Sequence, residues 1–142
     1  MTSRSVLNSA IGLAGAALAL LIVTMPEARA ACSDPAGMDV DWQACDLKQA
    51  DLSYKILSGA NLIEADLSGA TLEGVVLIRV NLSGANLSGA NLFYADLRDA
   101  VLDGADLTGA TLDDADLTGT SLSGTIWTDG KVCAEGSVGA CE

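Results

Sequence analysis

The sequence contains no histidine and very few aromatic residues: one Phe, two Tyr and two Trp among 142 residues. Without histidine, the Ser-His-Asp and Cys-His types of catalysis are excluded, as is the commonest side-chain ligand of transition metals. An ordinary globular core depends on large rings for much of its buried area, so few aromatics in a chain that is 50% hydrophobic argue against one. Small residues and Leu must supply the hydrophobicity instead, which indicates a repeat.

Basic residues are also scarce. The chain has seven Lys and Arg against 19 Asp and Glu, which gives a net charge of -12. A simple nucleic-acid binder needs a basic patch to neutralise phosphates, so direct binding of nucleic acid is not expected. The chain is too apolar for a disordered protein, and its 15 Gly lack the three-residue period of collagen.

The first thirty residues differ from the rest and have the pattern of a signal peptide. Arg4 is followed by an apolar run over residues 11–25, then by Pro26 and an A-x-A site at residues 28–30. Cleavage after Ala30 would leave 112 residues with five basic and 18 acidic side chains, a net charge of -13. We therefore expect a periplasmic or secreted protein with no membrane segment after cleavage.

Two alternatives to a cleaved signal peptide remain open. An uncleaved membrane anchor is one, although the apolar run is short for a membrane span. A lipoprotein acylated at Cys32 is the other, although Arg29 occupies a position where a lipobox has an aliphatic residue.

A five-residue period runs without interruption from Cys45 to Gly124. Leu fills the central position of all sixteen pentads, and Ala stands two residues before it in eleven of them. Asp or Asn directly precedes the Leu in ten pentads, and nine pentads end in Gly. Trp42 and Trp127 take the Leu position in one further pentad at each end, so the periodic body covers residues 40–129.

A period of five fits neither the 3.6 residues of a helix nor the two of a strand. On a helix, residues five apart rotate by about 140° per step, which would spread the Leu around the whole surface. In a β-solenoid, by contrast, the Leu and the small residue two before it would both point inward. The remaining positions would face water, and a final Gly suits a tight turn.

These pentads resemble the pentapeptide-repeat family, whose motif is A-(D/N)-L-x-x in tandem. The resemblance implies an all-β fold, a right-handed quadrilateral β-helix with four pentads per coil and about 4.5 coils in this chain. The domain prediction is a signal peptide (1–30), an N-terminal cap segment (31–39), the β-helix (40–129) and a C-terminal disulfide cap (130–142).

The four cysteines lie at the two ends of the repeat, at Cys32, Cys45, Cys133 and Cys141. Four cysteines in an exported protein allow three pairings. Because the ends of a rod are far apart, we favour Cys32 with Cys45 and Cys133 with Cys141. A metal site is a weaker alternative, since no His and no paired C-x-x-C spacing are present.

A cluster of acidic residues is one candidate for an active site. Asp113, Asp114 and Asp116 are close in sequence, and Asp99 and Asp103 lie nearby. Two carboxylates could act as a glycosidase pair or bind calcium. Most of these Asp, however, occupy water-facing repeat positions, so their clustering follows from the period. We expect no enzymatic activity, no catalytic residue, no cofactor and no metal.

Departures from the repeat predict an interaction surface. With residues twenty apart stacked on one face, nearly all exposed aromatic and aliphatic bulk would fall on two adjoining faces, which favours protein contact. Lateral packing of two copies in a homo-oligomer, or tolerated drift of the repeat, would explain the same pattern. Lys55 replaces an inward Ala, so distortion or a side chain reaching out to water is expected there. The predicted surface comprises Tyr54, Ile56, Val76, Ile78, Arg79, Phe93, Tyr94 and Arg98.

Two functional hypotheses follow. The first is a non-enzymatic exported structural or interaction module with an unidentified protein partner. The second is implied by the family resemblance, since some pentapeptide-repeat proteins mimic DNA and act on DNA gyrase. The predicted signal peptide and the polar C-terminal disulfide loop both favour the first.

Overall fold

The structure is a computed structural model that describes residues 31–142, within which Asp34–Glu142 form one compact unit. The predicted signal peptide lies outside the described residues. One helix occurs in the described part of the chain, the 3-10 helix η1 at Ala31–Ser33. No helix within residues 31–142 has the length and apolar character needed to cross a membrane.

The repeat folds as a coil whose successive turns are joined by isolated parallel β-bridges, with no multi-residue strand among the described residues. Every parallel bridge joins residues twenty apart, so four pentads complete one turn. The coil thus has four faces, each made of bridge residues stacked from turn to turn. We number them in chain order: face 1 (Asp41, Asn61, Asn81, Val101, Ser121), face 2 (Asp46, Asp66, Asn86, Asp106, Ile126), face 3 (Asp51, Thr71, Asn91, Thr111) and face 4 (Ile56, Val76, Asp96, Asp116).

A tight turn at the end of each pentad makes the corners of the coil. In the turn that begins at Leu57, the Ala60 N–H donates to the Leu57 carbonyl at 3.0 Å, and Gly59 has φ of 73°. A positive φ at the third residue is the signature of a type II turn. The Asp or Asn before the Leu supports the turn as well. Asn86 Oδ1, for example, accepts hydrogen bonds from the Ser88 N–H at 3.0 Å and from the Ser88 hydroxyl at 2.7 Å.

The core is a column of Leu flanked by a column of small residues. From Leu57 to Leu107 each central Leu is at most 1% exposed, and Ala60, Ala65 and their equivalents are similarly buried. Thr120 and Thr125 replace Ala in the inward column, and their hydroxyls donate to coil carbonyls, both at 2.7 Å. Burial of these hydroxyls is therefore compensated by hydrogen bonds.

Lys55 is accommodated without breaking the coil. Its side chain is exposed, although it occupies the position that Ala fills elsewhere. The Lys55 N–H still donates to the Leu52 carbonyl at 3.1 Å, and its own carbonyl still accepts from the Val76 N–H at 2.9 Å. Of the two outcomes expected for Lys55, the structure has the side chain in water and a regular backbone.

The C-terminal segment folds back over the last coil as an antiparallel partner. Val132 pairs with Ile126 and Val138 pairs with Ser121, so the segment covers this end of the coil through antiparallel bridges. A disulfide joins Cys133 and Cys141. Cys32 and Cys45 are also disulfide-bonded, and none of the cysteines in residues 31–142 is free.

Candidate interaction surface

The eight residues of the predicted surface lie on faces 3 and 4 and on the corners that end those faces. Tyr54, Ile56 and Tyr94 are 69%, 54% and 58% exposed. Arg79 and Arg98 are exposed too, whereas the other three are half-buried: Val76, Ile78 and Phe93. An apolar and aromatic area therefore interrupts a rod whose other water-facing positions are mostly Asp, Asn, Ser, Thr and Gly.

The position of Tyr54 is fixed by the next coil. Its ring lies over Gly74, where an added Cβ would come within 2.6 Å of two ring carbons. The Tyr54 hydroxyl donates to Glu73 Oε1 at 2.6 Å. This hydrogen bond and the charge of Glu73 raise the pKa of the Tyr54 hydroxyl. The exposed ring is therefore held in one orientation, which lowers the entropy that a partner would have to remove.

Two further aromatic rings lie side by side on face 3. The ring centroids of Phe93 and Tyr94 are 4.1 Å apart with planes inclined by 57°. Tyr94 stands in the same corner column as Tyr54, two coils further along the chain, with Gly74 between them. The aromatic part of the surface therefore extends over three coils.

Three large exposed side chains of the surface stand at corner positions that favour glycine. The φ angles of Tyr54, Arg79 and Tyr94 are 59°, 56° and 56°. A left-handed conformation is unfavourable for residues with a side chain, and such residues are found where other interactions enforce them. At these corners the chain keeps a bulky side chain at a conformational cost that Gly would avoid.

Arg98 is held by carboxylates of its own face. It donates to both oxygens of Asp96, from Nε at 2.8 Å and from Nη2 at 2.6 Å, and its Nε lies 3.8 Å from Asp116 Oδ2. These contacts raise the pKa of Arg98 and lower the pKa of Asp96. Asp96 and Asp116 stack in successive coils, so Arg98 offsets the repulsion between two like charges.

The same arrangement occurs on face 2, where Asp46 and Asp66 stack. Lys48 Nζ lies 3.8 Å from Asp46 and 3.4 Å from Asp66. In both cases the cation stands two residues after the first Asp of the pair. Arg79, by contrast, has no ion pair within the described residues and is the surface arginine left for an external contact.

Two Asp residues of the acidic cluster, Asp103 and Asp116, accept hydrogen bonds from neighbouring residues of the coil. No group of three or more His, Cys, Asp or Glu residues in residues 31–142 could hold a metal ion. Asp103 instead accepts from the Ser121 hydroxyl at 2.5 Å and from the Ser123 N–H at 3.1 Å. An open cleft of about 340 Å³ at the end of the coil has a single carboxylate, Asp113, in its lining.

The expectation that nearly all exposed apolar bulk would lie on faces 3 and 4 is wrong at the ends of the coil. Met38, Val132 and Val138 are 67%, 66% and 60% exposed. Sequence reasoning passed over them because they fall outside the five-residue period.

The coil with twenty-residue turns defines the class of this protein, a β-helix solenoid. Eight copies of the family profile "Pentapeptide repeats" match residues 43–77, 56–92 and 85–124, which is more than half of the chain. The chain therefore belongs to the pentapeptide-repeat family. A comparison with curated proteins gave no match.

Solved structures of the family share the fold. A pentapeptide-repeat protein (Rfr23) from the cyanobacterium Cyanothece 51142 is 41% identical with a TM-score of 0.64, over 67% of this chain and 66% of that one. A trypsin-treated form of QnrB1, a plasmid-mediated fluoroquinolone resistance protein, is 25% identical with a TM-score of 0.58, over 62% and 46%. These similarities identify the coil as a right-handed β-helix. The chain spans less than two thirds of either structure.

Proposed function

We propose that this protein is an exported, non-enzymatic interaction module that binds a partner protein through the surface on faces 3 and 4. The observation that carries the proposal is the exposed set of Tyr54, Ile56 and Tyr94 on the two faces that also carry Arg79, with the Tyr54 ring held against the next coil. Aromatic and Arg side chains dominate the binding energy of protein interfaces. The rigid coil presents them at little entropic cost.

Export is supported by the cysteines. All four are disulfide-bonded, and disulfides persist mainly in oxidising compartments. The proposal includes a signal peptide that is cleaved after Ala30 and a mature rod of about 4.5 coils. Cell fractionation with mass spectrometry of the N-terminus tests it. Ala31 as the first residue and two intact disulfides are expected, whereas a full-length, reduced cytoplasmic protein would contradict export.

The interaction surface is tested with the double variant Tyr94→Ser/Arg79→Ser. Affinity capture from the native compartment should recover a partner with the wild-type protein and lose it with the variant. Ser83→Ala/Ser88→Ala is the matched control, because both hydroxyls lie on faces 1 and 2, outside the surface. Partner capture and self-association that are unchanged in the variant would overturn the proposal.

The second candidate function is mimicry of DNA against DNA gyrase. The net charge of -12 and the similarity to a fluoroquinolone resistance protein favour it. Inhibition of gyrase supercoiling by the purified protein at submicromolar concentration would support this candidate, and its absence would remove it.

A further inference from the structure

Two faces of the last coil end in backbone groups that nothing in residues 31–142 covers. On a completed face the N–H groups of the central Leu and of the corner residue donate to the next coil, as the Leu92 N–H does to the Thr111 carbonyl at 2.8 Å. At the end of faces 3 and 4 the equivalent N–H groups have no acceptor among the described residues. They belong to Leu112, Asp114, Leu117 and Gly119.

At the ends of the other two faces, the same kind of edge pairs with a strand of the chain itself. The C-terminal segment lies along the ends of faces 1 and 2, where the Leu122 N–H donates to the Ser137 carbonyl at 2.9 Å. The Trp127 N–H likewise donates to the Lys131 carbonyl at 2.7 Å. The chain thus adds a strand to half of its own terminal edge and leaves residues 110–119, two complete pentads, without one.

Apolar surface is exposed along the same edge. Leu112 and Leu117 are half-buried, whereas Leu92 and Leu97, one coil earlier, are fully buried at 0% exposure. The cleft of about 340 Å³ lies beside this edge and is lined by Ala110, Leu112 and Trp127 together with three polar residues. An added strand with small or aliphatic side chains would bury this surface as a further coil does elsewhere.

The negative charge around the edge favours a positively charged partner. Residues 99–130 contain seven Asp and no Lys or Arg. The nearest arginine, Arg98, is already paired with Asp96 and Asp116. Two copies of a chain with net charge -12 repel each other, so stacking of a second copy on this edge is disfavoured. A basic segment is attracted to it.

We propose that the edge formed by residues 110–119 binds an extended, Lys- or Arg-bearing segment of a partner protein, which pairs with it as an added β-strand. Main-chain hydrogen bonds to the open N–H groups would supply the pairing, and alternate side chains would contact the half-buried Leu112 and Leu117. The inference rests on the proposed function as an interaction module. The edge lies one coil beyond Tyr94 and adjoins the surface on faces 3 and 4, but its pairing uses backbone groups and not the Tyr94 or Arg79 side chains.

The experiment measures binding of synthetic peptides to the purified, disulfide-bonded protein by fluorescence anisotropy. The probe is the peptide AKLKGAKLKG, compared with the acidic peptide ADLDGADLDG and with an N-methylated form of the basic peptide. The basic peptide should bind at least about tenfold more tightly than the acidic one because of charge attraction. The N-methylated form should not bind measurably, because it lacks the N–H donors for the Ala110 and Ala115 carbonyls and its methyl groups block close approach to the edge.

Protein variants locate the site. Asp113→Lys/Asp114→Lys reverses two exposed charges at the edge and should weaken binding roughly tenfold or more. Asp41→Lys/Glu64→Lys makes the same charge change far from the edge and should weaken it much less. Equal losses in the two variants, binding of the N-methylated peptide, or end-to-end self-association without peptide binding would each overturn the proposal.

The Tyr94→Ser/Arg79→Ser variant separates this inference from the proposed function. It should bind the basic peptide as the wild-type protein does. If the peptide binds as expected while partner capture is unaffected by that variant, the edge site is supported and the proposed role of the surface on faces 3 and 4 is contradicted. If no peptide binds while partner capture depends on Tyr94 and Arg79, the edge site is contradicted and the proposed function is supported.

Discussion

Single residues at the corners of the coil carry a conformational cost that glycine avoids. Nine corner positions with φ between 54° and 59° are occupied by residues other than Gly, among them Glu64 with φ of 56°. A left-handed conformation costs a residue with a Cβ about 1–2 kcal/mol. Gly avoids this cost, but its greater freedom in the unfolded chain offsets about 0.5–1 kcal/mol of the difference in stability.

The first prediction is therefore that Glu64→Gly stabilises the protein. The gain in the free energy of unfolding should be about 0.5–1 kcal/mol. The Glu64 side chain makes no hydrogen bond or ion pair within the described residues, so little is lost with it. Chemical denaturation at neutral pH, with the Tm as a second readout, measures the change.

Gly89 provides the matched control for Glu64. Its φ is 64°, and an added Cβ would have no atom within 4 Å, so Gly89→Ala introduces conformational strain and no steric clash. This variant should lose about 1 kcal/mol. A stabilised Gly89→Ala or a destabilised Glu64→Gly would show that the corners do not limit stability in this way.

The second prediction concerns Arg98, which lies between two stacked carboxylates. In Arg98→Gln the pKa of Asp96 should rise, because the side-chain hydrogen bonds that lower it are lost. Titration of the Asp96 carboxyl by NMR measures this. Lys131→Gln is the control, since Lys131 pairs with Asp129 alone at 3.1 Å and its removal should leave Asp96 unchanged. An unchanged pKa in Arg98→Gln would contradict the role assigned to Arg98.

At the scale of structural elements, the C-terminal segment determines which faces of the coil are closed. Its pairing with Ser121 and Ile126 is reinforced by the disulfide between Cys133 and Cys141, eight residues apart in sequence. Closure of so short a loop stabilises the folded segment by about 2–3 kcal/mol in the chain-entropy description. The covalent link therefore adds to the backbone hydrogen bonds that hold the segment on the coil.

The third prediction is that Cys133→Ser/Cys141→Ser opens this segment without unfolding the coil. Amide hydrogen exchange should accelerate at Leu122 and Trp127, whose N–H groups donate to the segment. Exchange should stay slow at Leu82, which donates to Val101 inside the coil at 2.7 Å. Local opening without global unfolding is the expected behaviour of a terminal segment that is less stable than the coil it covers. Uniform acceleration along the chain would instead mean that the cap stabilises the whole rod.

The elements also show how far sequence reasoning extends. The pentad period predicts the coil because the Leu, the inward small residue and the corner Gly each require one fixed position in the turn. The path of the C-terminal segment was not predictable in this way, since residues 130–142 have no period and their pairing depends on long-range contacts. The uncovered edge at residues 110–119 follows from that path and was missed for the same reason. The pentad pattern does place Tyr54 and Tyr94 in one column, but it says nothing of the Tyr54 bond to Glu73.

At the scale of the whole molecule, the water-facing carboxylates link stability to pH. The pKa values of Asp51, Asp66 and Asp116 are lowered, first by a hydrogen bond from the hydroxyl two residues on, as from Ser68 to Asp66 at 2.7 Å. A carboxyl with a lowered folded pKa stabilises the protein above its ordinary pKa of 3.8. That contribution is lost as the pH falls through the lowered value, so the free energy of unfolding should decline below pH 3.8.

The last prediction is that Asp51→Asn/Asp66→Asn/Asp116→Asn reduces this loss. Asn keeps an acceptor oxygen that does not titrate, and Asn86 already accepts from the Ser88 hydroxyl at 2.7 Å in the same position of its pentad. The folded coil therefore tolerates the change at neutral pH, while the proton that the Asp would bind on acid unfolding is absent. Urea unfolding midpoints measured from pH 7 to pH 2 at constant ionic strength should fall less steeply in the variant than in the wild-type protein. Parallel curves would show that acid acts elsewhere, through the remaining carboxylates and not through these three turns.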